Sequence, residues 1–139
     1  MSILFTVEIP GLPPTTNHIY RTWGHRARVK APAVRDWQKL TAATMAAMWK
    51  RAPLTDDVSL SLIFVTKDKR RWDLDNRLKA LQDTLTMAGI IQDDCQIKRL
   101  TAMRCKGEEI KTLVVIENFT SPRRSAIEAI LSACDSQDD

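Results

Sequence analysis

The stretch "KRRWDLDNRLKALQD", residues 69–83, decides how the chain is read, because it sets two aspartates one residue apart between a basic run and a helix. Leu74, Leu78, Leu81 and Leu85 fall at i, i+4, i+7 and i+11. That apolar stripe predicts a helix over 74–88, with Gly89 as its left-handed C-terminal cap. Asp73 and Asp75 then stand at its mouth, where side by side they repel. A helix start can use one aspartate as a cap, worth about 1 kcal/mol. A pair flanking apolar Leu74, reached from a buried strand, also offers a hard cation several carboxylate oxygens from one short segment. Spacing alone leaves both uses open.

Three neighbours bear on the choice. Lys79 lies four residues after Asp75, as a surface ion pair or as a cation aimed at the same site. Asp93 and Asp94 form a second acidic pair just past the helix-ending "GII". Basic residues crowd the approach, which suits a cation site whose remaining ligand is a phosphate.

Working outward, "ILFTVEI" (3–9) alternates with the period of a half-buried strand, and "VSLSLIFVT" (58–66) is dense in β-branched and apolar residues, as a buried strand is. Between them, "PGLPPTTNHIYRTWGHRARVKAP" is too rich in proline, glycine and polar residues for a regular element, and its length marks a functional loop. From Val34 to about Lys50, Trp37, Leu40, Thr44, Met45 and Met48 keep helical spacing and read as core. "CQIKRLTAMRC" and "IKTLVVIEN" flank the turn "KGEE" and predict a hairpin. Ser121 as N-cap, Pro122 after it and apolar Ile127, Ile130 and Leu131 predict a last helix. The order β-α-β-α-β-β-α implies an α+β fold: one four-stranded mixed sheet with two main helices, plus a C-terminal helix.

At 139 residues the chain suits one domain. Residues 1–120 form its body, and 121–139 a helical extension with an acidic tail. Net charge is +4, but two arginines against four acids after Thr120 leave residues 1–119 at +6. The bases cluster in "YRTWGHRARVK" (20–30) and "KDKRR" (67–71), a distribution shared by a solvated surface and a polyanion-binding one. On the second view Arg21, Arg26, Arg28, Lys30, Lys67, Lys69, Arg70 and Arg71 face phosphates. Cys95, Cys105 and Cys134 are odd in number and lack CxxC spacing, so they read as reduced thiols of a cytoplasmic protein, and no zinc site is expected. No run approaches the roughly 20 apolar residues of a membrane span.

"RRWDLDNRLKALQDTLTMAGIIQDDCQI" resembles the core of the RusA-type Holliday junction resolvases, in which D-L-D-N, a lysine four residues after the second aspartate and a D-D pair after a helix recur in this order. "PPTTNHIYR" (13–21) resembles that family's N-terminal loop, which adds Asn17 to the DNA-facing candidates. The resemblance spans about residues 3–118. It implies metal ligands at Asp73, Asp75 and Asp94, with Asp93 able to replace Asp94 if the register slips, and an essential Lys79. It also implies a homodimer that cuts four-way junction DNA by paired symmetric nicks in recombination and repair. Carboxylate-held Mg²⁺, or Mn²⁺ in its place, supports such hydrolysis without a covalent intermediate. His18 and His25, the two histidines of the chain, read as structural or phosphate-facing.

Chain geometry adds a constraint. A helix over 74–88 is about 22 Å long, and residues 90–94 reach back at most about 17 Å when extended. Uniting Asp94 with Asp73 and Asp75 in one subunit demands an almost straight return, whereas two-fold pairing can bring Asp94 of one chain to the aspartates of another. The rivals to an enzyme are a basic junction-binding module whose acids merely cap, and a structural homodimer with no nucleic-acid partner.

Overall fold

The computed structural model describes residues 2–15, 20–23, 27–30, 32–122 and 124–135, with only the backbone taken for 20–23, 27–30, 124, 134 and 135. Strand β1 (Ile3–Pro10) buries Phe5, Val7 and Ile9 and turns the alternate residues outward, as its period requires. Two short strands, β2 (Tyr20–Trp23) and β3 (Ala27–Lys30), pair antiparallel. The segment expected to be an irregular loop therefore contains a hairpin. β-Branched and aromatic residues in the two runs carry it, and each run is too short for periodicity to reveal.

Helix α1 (Pro32–Trp49) buries Val34, Gln38, Thr41, Ala42, Met45 and Trp49. This corrects the expected stripe, since Leu40 is 72% and Met48 53% exposed. The inward face is one residue out of phase with the apolar series, and it pays for polar Gln38 with a hydrogen bond from Nε2 to the Ala80 carbonyl, 3.2 Å.

Strand β4 (Val58–Thr66) is the buried centre of a four-stranded sheet ordered β1-β6-β4-β5. β5 (Ile97–Lys106) lies parallel to β4, and β6 (Lys111–Asn118) antiparallel to both β4 and β1. The sheet is mixed, as expected, but β5 and β6 do not form a hairpin. β4 inserts between them, because its Leu60, Leu62 and Phe64 are apolar enough for the middle while β5 is exposed along most of its length. Gly107 makes this possible: its N–H donates to the Thr66 carbonyl at 2.9 Å, and a Cβ there would stand 2.5 Å from Val65 Cγ1.

The predicted helix over 74–88 divides into a 3-10 turn (Leu74–Arg77) and helix α2 (Leu78–Met87). Leu81 and Leu85 enter the core, and Gly89, at φ 74°, caps the end as expected. Ile90 and Ile91 plug the core behind it, where Leu54 bridges to Ile91. Among the described residues, helix α3 (Arg124–Asp135) packs on no other element beyond glancing contact, and Ile127, Ile130 and Leu131 are exposed.

Candidate active site

Topology places the two acidic pairs. β4 runs from Val58 to Thr66, and the chain passes through 67–72 to Asp73 beyond its far end. β5 starts beside Val58, in register Val58↔Ile97, and Asp94 precedes that start by three residues. Nine-residue β4 is roughly 26 Å long at about 3.3 Å per step. Asp73 and Asp75 thus lie at one end of the β4-α2-β5 crossover and Asp94 at the other. Among the described residues, no three His, Cys, Asp or Glu side chains form a group able to hold a metal ion.

Asp73 occupies the N-cap position of the 3-10 turn in an extended conformation, yet its side chain makes no capping hydrogen bond. Its backbone carbonyl accepts from Asn76 N–H at 3.3 Å instead. The helix start therefore leaves the carboxylates of Asp73 and Asp75 exposed at the surface. The acid that does cap is Asp93. Its Oδ1 accepts from Cys95 N–H at 2.9 Å, while Gln96 Oε1 accepts from Asp93 N–H at 3.0 Å, a closed capping box. The Cys95 N–H bond, with a second hydrogen bond from the Cys95 thiol, holds the Asp93 carboxyl below the ordinary 3.8, and that thiol bond raises the pKa of Cys95.

Asp94 bonds to α2 instead. Its Oδ1 accepts a 2.8 Å hydrogen bond from the Thr86 hydroxyl of α2, and with Asp83, Thr86 and Asp93 it lines one small hollow. Gln96 stitches this corner to the loop before β4, donating from Nε2 to the carbonyls of Leu54 and Asp56 at 2.8 and 2.9 Å.

Lys79 does not pair with Asp75. Its Nζ lies 3.8 Å from Asp83 Oδ1, one turn toward Asp94. The 3-10 turn over 74–77 advances about 120° per residue instead of 100°, which rotates Asp75 off the Lys79 face. Asp83 is thus a member of the site that sequence reasoning passed over, although its i, i+4 spacing from Lys79 was there to read.

Lys67, Lys69, Arg70 and Arg71 are all exposed in the segment joining β4 to Asp73. Arg70 is partly engaged, with Nε 3.2 Å from Asp68 Oδ2. Trp72 meets Phe64 edge to face at 5.6 Å, and the guanidinium groups of Arg77 and Arg104 lie 5.2 and 4.6 Å from its ring centroid. Arg77 also donates from Nη1 to the Pro13 carbonyl at 2.7 Å, tying the N-terminal loop to the aspartate turn. Burial lowers its pKa, and its Nε is buried with no hydrogen-bond partner among the described residues. Arg21, Arg28 and Lys30 fall on β2 and β3, where only backbone is described. Asn17, His18, His25 and Arg26 lie outside the described residues.

Two comparisons bear on this arrangement. Residues 10–117 match the family described as endodeoxyribonuclease RusA. A protein named crossover junction endodeoxyribonuclease RusA, from Aquifex aeolicus (strain VF5), is 27% identical over 111 residues, covering 78% of this chain and 86% of that one. The match begins at the last residue of β1 and takes in the aspartate turn, α2, the Asp93–Asp94 corner and the three strands β4, β5 and β6 as far as Glu117. The chain belongs to the endodeoxyribonuclease RusA family of divalent-metal-dependent nucleases, and is a phosphodiester hydrolase that resolves Holliday junctions.

Proposed function

We propose that Asp73, Asp75 and Asp94 hold the divalent cation, Mg²⁺ with Mn²⁺ fitting the same oxygen donors, and that each site of a homodimer takes Asp73 and Asp75 from one chain and Asp94 from the other. The observation that carries this reading is the placement of the acids at opposite ends of one crossover, with no capping bond on Asp73. The donor set fits a hard cation, being all carboxylate oxygen. Such a cation, when bound, lowers the pKa of water and neutralises charge on a phosphoryl oxygen. The protein's own part is to present those carboxylates and exclude competing uses of them. Asp93 is spent on its capping box, which favours Asp94 as the ligand of that pair.

Lys79, half exposed and held by Asp83, supplies a positive charge to the scissile phosphate or the leaving oxygen. Lys67, Lys69, Arg70 and Arg71, with Asn17, Arg21, Arg26, Arg28 and Lys30 of the N-terminal loop, bind the DNA backbone and set the junction's register. Residues 1–120 form the nuclease domain, and 121–139 an extension without a part in the chemistry. Two-fold symmetry of the dimer matches two symmetric cuts in a four-way junction.

Mixing Asp75→Asn with Asp94→Asn chains is the test, on a synthetic four-way junction with Mg²⁺ and with EDTA. A mixed dimer of shared sites retains one complete site and nicks the junction, although each parent is dead. If the mixture stays dead despite proven subunit exchange, the sites lie within single chains and the sharing is wrong. Binding without cleavage by the wild-type chain in Mg²⁺ would instead leave a junction-binding module.

A further inference from the structure

Arg104 lies outside both acidic segments, on edge strand β5 opposite Phe64 of β4. Because the two strands are parallel, the ends of both face the same side of the sheet, and Arg104 reaches the segment that leaves β4. Its guanidinium donates three hydrogen bonds there: Nε to the Thr66 hydroxyl at 3.2 Å, Nη2 to the Asp68 carbonyl at 3.1 Å and Nη1 to the Arg70 carbonyl at 2.7 Å. Its plane also covers Trp72. The side chain thus holds the Thr66 hydroxyl, the backbone at residues 68 and 70 and the Trp72 ring, while the side chains of Lys67, Lys69, Arg70 and Arg71 stay exposed.

Three of the five guanidinium N–H groups are consumed by these acceptors, so the geometry is that of a clamp on a backbone and differs from a bidentate phosphate grip. We propose that Arg104 is a positioning residue for junction cleavage: by fixing segment 66–72 it sets the direction in which Lys67, Lys69 and Arg71 meet the DNA backbone, and the point at which Asp73 emerges. The role in cleavage rests on the function proposed above, whereas the clamp itself does not.

A lysine retains the charge but offers no fork, so Arg104→Lys separates the two uses of the residue. In the full chain without DNA, limited trypsin digestion reads the segment directly, since Lys67, Lys69, Arg70 and Arg71 are its targets. Cutting there should run roughly tenfold faster in Arg104→Lys and Arg104→Ala, as expected when a local opening loses about one hydrogen bond's net worth. Thr66→Val, which removes one acceptor and no charge, should give a smaller acceleration. On a four-way junction, Arg104→Lys should cleave roughly tenfold more slowly while the dependence of binding on salt keeps its slope.

Trypsin rates equal to wild type in Arg104→Lys overturn the clamp. Faster digestion with undiminished cleavage overturns its role in the reaction. A slope lowered by about one in Arg104→Ala and restored in Arg104→Lys makes Arg104 a phosphate contact instead. If Arg104→Ala fails to fold, Arg104→Lys decides alone. Because digestion needs no DNA, failure of the wild-type chain to cut a junction leaves that arm intact.

Discussion

The Thr86 hydroxyl donates to Asp94 Oδ1 at 2.8 Å, so one oxygen of that half-buried carboxylate is engaged by α2. A donor behind a metal-binding carboxylate fixes its rotation, and losing one typically costs about 10- to 100-fold in metal affinity. Thr86→Val should therefore raise by that factor the Mg²⁺ concentration giving half-maximal cleavage, and should shrink the rise in melting temperature that Mg²⁺ produces. Thr86→Ser should restore both. Unchanged metal dependence in the valine variant would remove Thr86 from the site.

Asp73→Asn, Asp75→Asn and Asp94→Asn should each lower junction cleavage by roughly 10³-fold or more, in line with several kcal/mol of lost charge stabilisation, and leave junction binding in place. Asp93→Asn should cleave at close to the wild-type rate and show its defect in stability. Its folded carboxyl lies below 3.8, so its contribution is present at neutral pH and is lost as pH falls through that depressed value. Melting curves from pH 7 to pH 3 should converge for the wild type and Asp93→Asn at the acid end.

Lys79→Ala should reduce cleavage by about 10²- to 10³-fold with little loss of affinity, because one cation among many adds little to binding but can stabilise a developing charge. Arg71→Ala should do the reverse, weakening binding and lowering the salt slope by about one. Arg70→Ala should change the slope less, since Asp68 already engages that guanidinium. Equal losses of affinity in Lys79→Ala and Arg71→Ala would deny Lys79 a catalytic part.

A chain stopped after Thr120 should fold and cleave, since among the described residues α3 rests on no other element beyond glancing contact. It should also bind DNA more tightly at low salt, because the removed segment carries four acids and two arginines. A shortened chain that is folded but inactive would give α3 a role in assembly.

Period and spacing made much of this legible in the sequence. Phe5, Val7 and Ile9 alternate into the core, and Leu81 and Leu85 follow the helical stripe, because each pattern is imposed by its own element. Asp73, Asp75, Asp93 and Asp94 were visible as pairs for the same local reason. What was not legible depends on distant partners. Nothing around residues 97–118 signals that β4 will insert between β5 and β6, and nothing near Arg104 names Thr66, Asp68 or Arg70. Gln38 and Thr41 look like surface residues, yet both are buried, Gln38 against the Ala80 carbonyl. The i, i+4 spacing of Lys79 from Asp75 puts the two on one face only if the α-helix is continuous, and the backbone tightens there for one turn.

Strand β5 closes one side of the sheet with an open row of backbone donors and acceptors, and it carries Lys98, Arg99, Arg104 and Lys106 along ten residues. An unguarded edge of that length would invite another chain to add a strand and propagate a fibre. Here a second copy pairing antiparallel through the same edge would set cation against cation across every few rungs, with nothing acidic on the strand to relieve it. Among the described residues the edge therefore resists self-addition in the absence of a polyanion, and in the homodimer proposed above a two-fold contact through another face would keep the basic border of the sheet free.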